Sequence, residues 1–117
     1  KVSNYQGVEW LNRTLGRRDR AATDIWALFS LRTPYATFGT MGDLLPPTAG
    51  REATRAFVRK YGITDIAILD GDSARRRQLR YLEARLIGRV SVRSVQSRTR
   101  GHFGRPHQML VYAVRQK

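Results

Sequence analysis

Val8, Leu11 and Leu15 recur at helical spacing with Trp10 beside them, which predicts a short amphipathic helix over residues 5–15, stopped by Gly16. After the charged turn Gly16-Arg17-Arg18-Asp19-Arg20, residues 20–31 hold Ala21, Ala22, Ile25, Trp26, Leu28, Phe29 and Leu31. That stretch is apolar nearly all round and predicts a buried core helix, ended by Thr33-Pro34. Residues 37–45 predict one or two helical turns, and Pro46-Pro47-Thr48-Ala49-Gly50 a break, the expected place for a hinge or exposed loop.

Ala53, Ala56, Phe57 and Tyr61 form a stripe over residues 51–61, with Gly62 in the position that closes helices. Residues 63–69 (ITDIAIL) are apolar and rich in β-branched side chains; periodicity leaves open a strand or a buried turn. Asp70-Gly71-Asp72-Ser73 reads as a turn whose last residues cap a following helix. That helix is predicted over residues 74–86, with Leu79, Leu82 and Leu86 on one face and Arg75, Arg76, Arg77, Gln78 and Arg80 elsewhere. Val90 and Val92 alternate with Ser91 and Arg93, a half-buried strand over 89–95, and residues 108–114 (QMLVYAV) supply a second. A basic, glycine-containing loop of about twelve residues joins them. The expected fold class is α+β: mostly helical up to residue 62, then a helix and an antiparallel hairpin, in one domain.

Charge sharpens this picture. The 117 residues carry 22 Lys plus Arg against 9 Asp plus Glu, a formal charge of +13. Residues 1–72 hold ten basic residues and eight acids, net +2, whereas residues 73–117 hold twelve and only Glu83, net +11. Solubility does not require such segregation, and a concentrated positive field is the electrostatic footprint of a polyanion partner. Of the 22 basic residues 19 are Arg, whose planar fork pairs bidentately with phosphate and with guanine.

Other classes fall away. Without cysteine there is no disulfide scaffold, thiolate zinc site or Cys nucleophile. No apolar run approaches the ~18 residues of a membrane-spanning helix, and phosphate-cradling glycine motifs are absent. Asp70 and Asp72 read as turn and cap, not as magnesium ligands; no metal or cofactor is expected. Lys1 and the ending Arg115-Gln116-Lys117 suggest a piece of a longer chain.

An α-helix fits the major groove of B-DNA, with its first residues at the base edges. The expected DNA-binding residues are therefore Ser73, Arg75, Arg76, Arg77, Gln78 and Arg80 on the helix. Arg93, Arg98, Arg100, His102, Arg105 and His107 on the hairpin and its loop would contact phosphates or a minor groove. Phe103 at the loop tip could wedge into a base step.

Two phrases carry a resemblance. Leu82-Glu83-Ala84-Arg85-Leu86-Ile87, and Gly104-Arg105-Pro106 running on to Tyr112, resemble the C-terminal half of winged helix-turn-helix regulators. The resemblance covers about 40 residues. It implies a recognition helix at 73–86, a wing at 89–114, residues 51–62 as the preceding helix, and double-stranded DNA as ligand. Residues 63–72 exceed the usual turn of that family, and the glycine follows Leu86-Ile87 instead of preceding it. The reading is a sequence-specific DNA-binding protein, a transcriptional regulator or the DNA-binding module of a larger protein. It would be cytoplasmic and nucleoid-associated, with residues 1–45 offering a homodimer face around Trp26 and Phe29. Two other readings stand beside it: a metal-free ribonuclease of toxin type using His102 and His107 as acid and base, and a non-catalytic RNA- or ribosome-binding protein.

Overall fold

The computed structural model describes residues 3–16, 18–24, 36–40, 44–93 and 106–115; at 3–8, 36–40, 92–93 and 106–107 only the backbone is described. Helix α1 spans Ser3–Thr14, strand β1 Arg20–Thr23 and strand β2 Ala36–Thr40. Helix α2 (Arg51–Tyr61) leads to strand β3 (Asp65–Leu69), helix α3 (Ser73–Leu79), and strands β4 (Glu83–Arg93) and β5 (Pro106–Arg115). The fold is α+β, built on one five-stranded mixed sheet in the order β2-β1-β3-β5-β4. β1 runs parallel to β2 and β3, while β5 is antiparallel to both β3 and β4.

Helices cover both faces of this sheet. Leu11 of α1 and Leu15 just after it pack on Ala21, Ala67, Met109 and Val111, with Trp10, Ile87 and Val90 at the margin. On the other face Phe57 and Val58 of α2 and Leu79 of α3 pack on Ala22, Ile66, Ile68, Leu110 and Val114. Strand β3 lies between the two clusters, with Asp65, Ile66, Ala67 and Ile68 all buried. A central strand covered on both faces reads as a continuous apolar run, which is why its period could not distinguish strand from buried turn.

Several expected features are present. Gly62 adopts the left-handed conformation (φ 62°), and the Ile63 amide reaches back to the Val58 carbonyl (3.0 Å), closing α2 as glycine-terminated helices do. Asp72 caps α3, its side chain accepting a hydrogen bond from the Arg75 amide at 3.1 Å. The antiparallel hairpin exists and is longer than expected on its first strand.

Three expectations are corrected. Residues 20–23 form strand β1 and not the start of a helix, because their backbone pairs with β2 on one side and β3 on the other; residues 25–31 lie outside the described residues. Residues 36–40 form strand β2, so the helical turns expected from residue 37 are absent there. The helix expected over 74–86 ends at Leu79. Its last turn tightens through bonds from the amides of Arg80, Tyr81 and Leu82 to the carbonyls of Arg77, Gln78 and Leu79. These three-residue steps wind the helix out, and Glu83 begins a strand that pairs with β5 through to Arg93. Residues 63–72 hold strand β3 and a turn, so α2 and α3 are joined through the centre of the sheet.

Candidate nucleic-acid interface

Helix α3 has seven residues, a length of about 10 Å. Arg75, Gln78 and Leu79 are buried, whereas Ser73, Arg76, Arg77 and Arg80 are exposed. The exposed positions recur at intervals of three and four and so share one stripe.

Arg75 and Gln78 are turned to the interior and not to the surface. Arg75 is 2% exposed and binds Asp24 at the end of β1, through Nε at 2.7 Å and Nη2 at 3.4 Å. Its Nη1 donates to the Leu45 carbonyl (2.8 Å) and to Gln78 Oε1 (2.9 Å). Gln78 Nε2 then donates to the carbonyls of Pro46 (2.8 Å) and Ala49 (3.3 Å). The two residues read earlier as base contacts therefore tie α3 to the end of β1 and to the 45–49 segment. Residues 46–50 form the exposed loop expected there, and Gln78 holds it from beneath. A buried guanidinium requires such pairing, since an uncompensated buried charge is strongly destabilising.

The remaining cations of α3 continue onto the hairpin. Arg76 Nη2 donates to the Asp70 carbonyl (2.8 Å), and the Asp70 amide donates to the Gln108 carbonyl (2.9 Å). Gln108 Oε1 accepts from Arg89 Nη1 at 3.4 Å. Arg76 and Arg89 are thus joined through the turn after β3 and the start of β5. Arg89 stands opposite Leu110 in the ladder, on the sheet face that carries α2 and α3. Among the described residues none of Arg76, Arg77, Arg80 and Arg89 forms an ion pair. Four guanidinium groups consequently stand exposed on α3 and the adjoining hairpin face.

Arg93 lies at the last rung of the hairpin, opposite Pro106, and His107 opposite Val92; their side chains are not described. Arg98, Arg100, His102 and Arg105 lie outside the described residues, as do Phe103, Trp26 and Phe29. Sequence reasoning missed three exposed cations of the hairpin: Arg85, Arg89 and Arg115. The first was hidden by the helix expected through residue 86. Strand alternation around Val90 could have exposed Arg89.

Trp10 and Tyr112 serve the two cores, and the ring of Tyr61 packs against Phe57 at 5.3 Å between centroids, so none of the three belongs to this surface. Among the described residues no group of acidic or histidine side chains could hold a metal ion, and no helix is long and apolar enough to cross a membrane. Comparison with protein families, with curated proteins and with solved structures finds no match for this chain.

Proposed function

We propose that this chain binds double-stranded DNA, sequence-specifically, as a transcriptional regulator or as the DNA-binding module of a larger protein. One observation carries the reading: Arg76 and Arg77 of α3, Arg80 just after it and Arg89 of β4 stand exposed on adjoining surfaces, with no acidic partner among the described residues. Arginines so arranged match the spaced charges of a phosphate backbone, whose neutralisation releases counterions and drives binding.

On this reading the hairpin is the wing of a winged helix and takes a larger share of recognition than α3. The major groove admits a two-stranded ribbon as well as a helix. A helix of seven residues whose buried side is occupied by Arg75 and Gln78 offers Arg76 and Arg77, with Arg80 at its end, to the duplex, and no glutamine to read adenine. The hairpin extends to the Arg93–Pro106 rung, and the basic segment 94–105 follows at that end.

Selection from random duplex DNA with structured RNA as competitor tests the proposal. Enrichment of a common duplex motif supports it. Enrichment of structured RNA, or of neither, contradicts it.

A further inference from the structure

A second group of cations lies on the opposite face of the same hairpin. Arg85 stands directly across from Ala113, and Glu83 directly across from Arg115. Alternation from Val111, which packs under α1, places Ala113 and Arg115 on the α1 face and not on the face of α3. Ala113 lies outside the cluster around Leu11 and Leu15, so the face opens there. Glu83, Ala84, Arg85, Ala113 and Arg115 line a groove of about 220 Å³. That is smaller than the cavities that take drug-sized ligands and suits a single small group.

The charges select the chemistry. Arg85 and Arg115 are exposed and form no ion pair among the described residues, and Glu83, though opposite Arg115, lies beyond ion-pair distance. Arg85 and Arg115 are diagonal neighbours across the β4–β5 ladder, and the small Ala113 opposite Arg85 puts no large side chain into the groove. Two positive charges and one negative leave one net positive charge in the groove. Asp65, across Ala113 on its other side, is buried and accepts a hydrogen bond from the Thr64 hydroxyl at 2.6 Å, so it does not line the groove. We propose that the groove between Arg85 and Arg115 is a site for one singly charged phosphodiester group, held in guanidinium–oxyanion hydrogen bonds. The site is separate from the α3 surface and does not depend on the DNA-binding reading.

The ligand can come from a nucleic-acid backbone or from a small diester, and a titration followed by backbone amide shifts distinguishes them. Dimethyl phosphate should shift the amides of residues 83–85 and 113–115 saturably in the full chain. The Arg85→Gln/Arg115→Gln variant should weaken this by at least about tenfold, the loss of a charge-assisted hydrogen bond. Glu83→Gln should tighten binding of sulfate more than that of dimethyl phosphate, because removing one negative charge relieves a dianion twice as much. Duplex DNA shifting the same amides at lower concentration identifies the backbone as the source; response to the small diester alone identifies a free compound. The variant Arg76→Gln/Arg77→Gln/Arg80→Gln should keep dimethyl phosphate binding, so its loss of duplex binding would bear on the DNA reading alone. Unsaturable shifts, shifts spread over all exposed arginines, or shifts that survive in the Arg85→Gln/Arg115→Gln variant would mean an adventitious ion only and overturn the proposal.

Discussion

The indole of Trp10 occupies the space in which a side chain at residue 88 would stand. A Cβ built on Gly88 would lie 2.1 Å from Cζ2 of that ring, 2.4 Å from Cη2 and 2.9 Å from Cε2. Gly88 follows the irregularity in β4 at Leu86 and pairs with Val111, so the close approach seats α1 on the hairpin. Gly88→Ala must push the ring away or lift the helix, and overpacking of this kind costs about 1–3 kcal/mol. Urea unfolding should show that loss in the natural background and little of it after Trp10→Ala, a coupling between touching residues. An equal cost in both backgrounds would show that the ring is not the obstacle.

The ion pair between Arg75 and Asp24 makes a different demand. The Arg75 side chain is 1% exposed and the Asp24 side chain 30%, so removing the carboxylate strands a guanidinium in the interior. Asp24→Ala should destabilise by about 3 kcal/mol, the lower end for breaking a buried pair because Asp24 is partly solvated. Adding Arg75→Met should recover part of that loss, since an apolar side chain of similar length needs no partner. Chemical denaturation of the two variants checks the order; a double variant less stable than Asp24→Ala would refute it.

Asp65 sets a pH dependence. Burial raises its carboxyl above the ordinary aspartate value of 3.8, the neighbouring Asp19 adds to the rise, and the Thr64 hydroxyl opposes it. The folded state therefore holds this proton more tightly than the unfolded chain. Its penalty is absent below the unfolded value, grows as pH rises to the folded value, and is constant above. Asp65→Asn should raise stability at neutral pH and lose that advantage as the solution is acidified toward pH 3.8. Denaturation midpoints of both forms across pH 3–8 measure it, and an advantage independent of pH would exclude the carboxylate as its source.

The parts of the fold that declared themselves in sequence were those governed by local chemistry. Gly62 ends α2 because the left-handed position suits glycine, and Asp72 caps α3 because its oxygen meets a free amide. Where tertiary pairing decides, local propensity misled. Residues 80–86 are rich in helix formers, yet Glu83 to Leu86 spend their backbone bonds on β5. Ala21 and Ala22 look helical and lie in mid-sheet for the same reason. The candidate surface was half legible: Arg76, Arg77 and Arg80 stand exposed as expected. Arg75 and Gln78, on the same short helix, were indistinguishable from them until Asp24 and the 45–49 carbonyls were brought close.

If Arg76, Arg77 and Arg80 each neutralise one phosphate, together they supply about 2.7 units of the salt-dependence slope. Fluorescence anisotropy on a duplex across a salt series measures that slope for the natural chain and for the folded Arg76→Gln/Arg77→Gln/Arg80→Gln variant. The account predicts weaker binding and a plot of log K against log salt flatter by about 2–3 units. An unchanged affinity with an unchanged slope would contradict it.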